Sequence, residues 1–142
     1  MSVHHLDRDR NGLEILDRAE CLLLLTTVPV GRVAVTVGAL PVILPVNFVV
    51  STAGQIVFAT RPGQKLHGAL DNAVIAFEAD AFDPATRGGW SVMVQDQAQV
   101  LSADDAAPYR HLELERWAGG DATSYVVIST ERMSGRRITE RR

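Results

Sequence analysis

Three apolar segments, 28–37, 40–50 and 55–60, follow one another with only short turns between them, and this spacing constrains the chain more than any other feature. They are rich in Val, Ile and Thr, whose branched Cβ favours extended backbone and packs well against cross-strand neighbours. Gly38-Ala39-Leu40-Pro41 supplies turn chemistry after the first segment, and Ser51-Thr52-Ala53-Gly54 after the second. Strands joined this closely run antiparallel, so an antiparallel meander is predicted.

The rest of the chain extends that sheet. Leu13, Ile15, Leu16, Ala19 and Leu22 recur at helical spacing after Asn11-Gly12 and predict a first amphipathic helix, with Asp17, Arg18 and Glu20 facing water. A short helix is expected over 64–70, after Arg61-Pro62-Gly63 closes the third strand. Segments 73–81 and 89–101 read as two further strands across the loop 82–88. Ser102 is a candidate N-cap for a helix reaching about Trp117, which Gly119-Gly120 would stop. Segments 124–129 and 131–139 complete the β-structure, with an interruption expected near Met133-Ser134-Gly135. The predicted fold is mainly β with short helices, a barrel-like sheet of six or so antiparallel strands. Residues 1–10 are expected to form a flexible N-terminal segment and 11–142 a single domain.

Composition narrows the function classes. The chain has 142 residues, is 46% hydrophobic and carries a net charge of −3, so it lacks the broad positive field of a nucleic-acid-binding surface. Its longest apolar runs are too short to span a bilayer as a helix. A single cysteine, Cys21, makes no intrachain disulfide, and no leader pattern opens the sequence, so a cytoplasmic location is expected. Cys21 reads as a small buried hydrophobe and not as an activated thiolate. His4 and His5 with Asp7 lie on the N-terminal segment, while His67 and His111 lie apart on separate predicted helices, so no metal site is expected. Ser91 has no His–acid partners nearby in the sequence, which leaves a nucleophilic serine as the minor reading.

One turn does carry chemistry. Thr60-Arg61-Pro62-Gly63-Gln64-Lys65 combines a hydroxyl, a glycine that permits close backbone approach and basic side chains, a set suited to a phosphate. It lacks the spacing of a nucleotide-triphosphate P-loop. Its bland alternative is an ordinary strand-to-helix turn with solvated Arg and Lys. Similarly, Asn47 suits either a ligand contact or a bend after Pro45, and Trp90 either a pocket wall or a core aromatic.

The order Gly31-Arg32-Val33-Ala34-Val35, Pro45-Val46-Asn47-Phe48, Phe58-Ala59-Thr60, Gln64-Lys65, Gly89-Trp90-Ser91-Val92 and Gly135-Arg136-Arg137 resembles the pyridoxamine 5′-phosphate oxidase-like superfamily, nearest to its small nitroimidazole-resistance-type flavoproteins. The resemblance implies an FMN-binding split β-barrel. It implies that Arg32, Val33, Ala34 and Val35 run along the cofactor and that Ala59, Thr60, Gln64 and Lys65 hold its phosphate. Asn47 is then expected at the polar edge of the isoalloxazine, Ser91 at a polar flavin contact and Trp90 in the pocket wall. Arg136 or Arg137 is expected to reach across a homodimer whose cofactor sites lie at the interface.

The implied activity is a flavin-dependent reduction of a small electron-poor substrate, with NAD(P)H or another reductant as donor. True pyridoxamine phosphate oxidases carry a different C-terminal substrate-binding ending, and haem-degrading relatives carry histidine-rich or extended ones, so neither activity is implied. Asp96 stands where relatives commonly turn with glycine after Val92–Val94, a departure from the family pattern that bears on the local loop geometry and not on the cofactor site. Deazaflavin F420 in place of FMN, and a flavin-binding or sensory module without turnover, are the alternatives.

Overall fold

A computed structural model describes residues 8, 12–60, 65–109, 114 and 124–138. In chain order its elements are β1 (Glu14–Leu16), α1 (Arg18–Leu25), β2 (Val30–Val37), β3 (Leu40–Val50), β4 (Ile56–Thr60), α2 (Lys65–Leu70), β5 (Val74–Phe82), β6 (Gly89–Val100), α3 (Ala103–Ala106), a 3-10 turn (Ala107–Tyr109), β7 (Ser124–Ile128) and β8 (Met133–Ile138). All strand pairings are antiparallel.

Hydrogen bonding runs β6-β5-β2-β3-β4-β7 and returns to β6, closing a six-stranded barrel onto which β8 and β1 are added. The strand pattern predicts the barrel-like sheet, and the closed form is the split barrel that the resemblance implies. Two strands make closure possible by serving different neighbours along their length. β3 pairs with β2 from Leu40 to Asn47 and with β4 from Phe48 to Val50. β6 keeps β5 on one edge and divides the other, giving 89–94 to β8 and 98–100 to β7.

Asp96 sits at that division. Its carboxylate accepts from Gln97 N at 2.8 Å and from Arg132 N at 3.1 Å, tying the β7–β8 turn to β6. Gln95 N donates to Arg132 O at 3.0 Å and Ser129 N to Gln97 O at 3.2 Å, which completes the handover. β6 runs unbroken from Gly89 to Val100, in line with the strand read over 89–101, and the Asp96 side chain within it caps the neighbouring turn. The interruption expected near Met133 falls earlier, at 129–132, and β8 is continuous through Gly135.

The first helix is also displaced. Residues 14–16 form a strand against β8, and the helix starts only after Asp17, whose side chain accepts from Glu20 N at 2.8 Å as an N-cap. The apolar spacing that reads as one helix joins an alternating strand, Glu14-Ile15-Leu16, to a separate helical face. At the other end, α3 stops at Ala106 and gives way to the 3-10 turn containing Pro108. The remainder of that predicted helix, with Gly119-Gly120, lies outside the described residues, as do His4, His5 and His111.

Val33, Phe58, Phe77, Val92 and Val94 fill the barrel, with Phe48 and Phe77 in an edge contact at 4.9 Å between centroids. Leu70 of α2 is fully buried, and α1 packs on β8. Gly135 allows the latter packing, because a Cβ there would lie 2.5 Å from Cys21 Sγ. Burial foremost pushes the Cys21 thiol up from its ordinary value, in keeping with a structural hydrophobe. No helix among the described residues is long and apolar enough to cross a membrane.

Asp96 yields a stability test. Partial burial opposes its ionisation, but hydrogen bonds from the Gln97 and Arg132 amides, the Ser129 hydroxyl and the Glu131 amide outweigh that and hold its carboxyl below the usual 3.8. A depressed carboxyl contributes stability above its unfolded value and loses it as pH falls through the folded one. Asp96→Ala should cost about 1–2 kcal/mol at pH 7, as two backbone donors lose a charged acceptor. Denaturant melts should show the gap to wild type narrowing below about pH 4, whereas a gap independent of pH rejects the assignment.

Candidate functional site

Strand alternation sorts the sequence-predicted site residues onto two faces. Val33 and Val35 point into the barrel at 1% and 7% exposure, leaving only their backbone available to a ligand. Arg32 and Ala34, alternating with them along β2, point outward. Across the sheet, Ser91 lies opposite both Asp80 and Arg136, and Ile15 lies opposite Arg136, so these residues continue the outward row. Asn47, paired with Val30, belongs to the same face as the exposed Ile43 and Pro45.

Trp90 and Arg137 fall on the other side. Trp90 is buried beneath a surface hollow of about 410 Å³ near Phe82, Asp83 and Thr86, away from Asn47. Arg137 pairs with the buried Glu14 at 3.3 Å and with Glu20 at 3.8 Å, tying β8 to β1 and α1. Its guanidinium thus stabilises the fold locally, while Arg136 shares the outer face with Ser91 and Arg32. Arg136 Nη1 also donates to Gly135 O at 2.9 Å.

The predicted phosphate turn begins beside Asn47. Phe48 pairs with Phe58, so Asn47 and Ala59 are the next residues on their strands, and Thr60 ends β4 opposite Ser124. Lys65 opens α2, and Gln64 lies outside the described residues. A cavity of about 450 Å³ opens at Asn47 and Phe48, walled also by Thr26, Thr27, Pro29 and Leu114. The Thr26 and Thr27 hydroxyls each donate at 2.6 Å to helix carbonyls, Leu23 O and Leu24 O. Those hydroxyl oxygens can still accept, so the wall combines apolar surface with polar atoms of Thr26, Thr27 and Asn47.

Two functional candidates escaped the sequence reading. On β5, Glu78 and Asp80 alternate outward, and Arg32 Nη1 reaches them at 3.0 and 3.5 Å. Burial, then a hydrogen bond and charge from Asp80, push Glu78 up from 4.5 to about 7, against the opposing pull of Arg32. Part of the signal was present in Phe77-Glu78-Ala79-Asp80, where period-two alternation puts both acids on one face, and the β2–β5 register makes it the Arg32 face. The outer face also bears Ile15, Ile43, Val74, Phe82 and Met93, all substantially exposed. No cluster of metal-ligating side chains occurs among the described residues.

With this geometry in view, the family model for pyridoxamine 5′-phosphate oxidase matches residues 17–137. The chain belongs to the pyridoxamine 5′-phosphate oxidase family. Within and around that family, an uncharacterized Mycobacterium tuberculosis protein, Rv0080, is 39% identical over 129 residues, covering 87% of this chain and 84% of its own. The solved FAD binding protein from Mycobacterium smegmatis is 36% identical with a TM-score of 0.77, covering 88% of this chain and 98% of that one. A Corynebacterium diphtheriae protein of unknown function, DIP1874, is 29% identical with a TM-score of 0.74, covering 89% and 98%.

The donors suit a flavin nucleotide. Arg32, Arg136, the Ser91 hydroxyl and the Asn47 amide share one face, giving cations for a phosphate and directional donors for a polar ring edge. Ala34, between Arg32 and Thr36, leaves room for a flat group to lie against β2.

The carboxylate pair makes a separable prediction. Because the folded pKa of Glu78 is raised, its favourable contribution is complete below the unfolded value and is lost as pH rises through about 7. Glu78→Gln should therefore gain on wild type between pH 5 and 8. The unscreened ceiling is about 3 kcal/mol. Solvent screening of a side chain 35% exposed reduces the expected gain to about 1 kcal/mol. Parallel stability curves for the two proteins across that range would contradict the titration.

Proposed function

We propose that this protein is a flavin-binding oxidoreductase that reduces small electron-poor molecules, acting as a homodimer. The observation that carries the reading is the convergence of Arg32, Asn47, Ser91 and Arg136 on one outer sheet face. Family membership and the likeness to the Mycobacterium smegmatis FAD binding protein support it. That likeness favours FAD, and the Thr60–Lys65 turn serves FMN equally, because both flavins carry a phosphate at the end of the ribityl chain.

A bound flavin would supply the electron transfer, leaving binding, orientation and electrostatics to the protein. Once released from its carboxylates, Arg32 would meet the phosphate, and Arg136 would balance anionic charge. Thr60 and Lys65 would contribute a hydroxyl and a cation to the phosphate. Asn47 would orient the polar ring edge, and the apolar wall of the adjoining cavity would accept the substrate. NAD(P)H is the proposed donor.

Self-association follows from the same face. Ile43, Val74 and Met93 are 70%, 69% and 41% exposed, an arrangement that a second copy would cover. Arginines and carboxylates on the patch give it both signs of charge, as a two-fold contact of a surface with itself needs.

Purification provides the first test. A yellow protein that releases FAD or FMN by mass spectrometry and bleaches with NAD(P)H is expected; a colourless protein that takes up neither flavin rejects the reading. Ile43→Asp should shift the protein from dimer to monomer in sedimentation and lower flavin retention at least about tenfold, because an anion would be buried without a partner. A variant that remains a dimer removes this face from the interface.

A further inference from the structure

Arg32 is not simply waiting for a ligand. One guanidinium nitrogen faces two carboxylates, Glu78 at 3.0 Å and Asp80 at 3.5 Å, while the side chain stays 50% exposed to incoming groups. The neighbours do little to change this balance. β3 presents Pro45 opposite Arg32, β6 presents Met93 and Ser91 opposite Glu78 and Asp80, and Arg136 lies on β8 beyond Ser91. Among the described residues, Arg32 and Arg136 are thus the cations facing the acidic pair.

We propose that Glu78 and Asp80 are internal competitors for Arg32, which the phosphate of an incoming flavin must displace, and that proton uptake by the pair favours the phosphorylated ligand. This rests on the flavin reading given above. With one proton shared, the Arg32–Glu78–Asp80 cluster is neutral; with none it carries one negative charge, which repels a phosphate dianion and holds Arg32 more firmly. Burial already places the first proton near neutrality, since Glu78 titrates at about 7. Cofactor loading therefore falls as pH rises through the neutral range. Riboflavin, which has no phosphate, should be indifferent to this competition.

The test is a titration of the full-length protein, freed of any flavin, with FMN and with riboflavin at pH 7 and 8.5. Both conditions lie above the second phosphate pKa of about 6, so the ligand's own charge is nearly constant. Wild type should lose about threefold in FMN affinity across the interval, and Glu78→Gln should abolish that loss. At pH 8.5 the variant should bind FMN about fivefold more tightly than wild type, with riboflavin changing less than about twofold. Asp80→Asn provides an independent variant and should act in the same direction. Equal effects on both flavins, or weaker FMN binding in both variants, overturn the competition while leaving a flavin site intact. A wild-type protein that binds neither flavin overturns the flavin reading and this inference with it.

Discussion

The divided edge of β6 is the constraint on which the architecture depends. A six-stranded sheet can close only if one strand reaches back to the far end, and β6 does so by giving 98–100 to β7. Its other residues on that edge, 89–94, are then left for β8. Such a change of partner leaves amides at the junction without a strand acceptor. Asp96 provides one at the junction itself, accepting from Arg132 N. Closure and the placement of β8 are thus parts of one arrangement, and β8 carries Arg136 to a position beside Ser91.

From that scaffold, strand alternation produces the chemistry. Neighbouring residues in β2 have opposite fates: Val33 is sealed in the core, while Arg32 stands outside with Glu78 and Asp80. The same rule separates Arg136 from Arg137, which look equivalent in sequence. Arg137 faces Glu14 and Glu20 and joins β8 to the N-terminal elements, so truncating it would leave a buried carboxylate uncompensated. Arg136 lies on the outer face beside Ser91. The outer face therefore carries both signs of charge, its arginines set among the carboxylates of β5.

Most strands were legible because their β-branched runs and turns agree with the sheet that forms. The barrel's long strands shift by only a residue or two from the sequence reading, as at 28–37, which becomes Val30–Val37. β1 was not legible, because three residues are too few to reveal a period and their partners in β8 lie more than a hundred positions away. Asp96 lies inside the strand read over 89–101, and the irregularity at this point belongs to the partner strands, which change over beside it. The Arg32, Asn47, Ser91 and Arg136 set was accessible through resemblance and alternation together. The opposing carboxylates needed the β2–β5 register, which pairs Arg32 with Glu78 and is not encoded in local spacing.

The prolines of β3 bear on how two copies would meet. Phe48 N donates to Pro29 O on the β2 side, so alternation directs the odd-numbered amides of β3 toward its other edge. Pro41 and Pro45 occupy that odd set. They remove donors from the edge that β2 does not cover, while the β2–β3 register runs unbroken from Val30 to Val37. Extending the sheet through this edge would therefore lack two hydrogen bonds, a known means of blocking edge-to-edge association. The apolar side chains between and beyond the prolines, Ile43 among them, remain available to pack face to face. The sequence of β3 thus disfavours open-ended pairing and leaves contact between sheet faces, the geometry in which Asn47 and Arg32 would be enclosed along with a ligand.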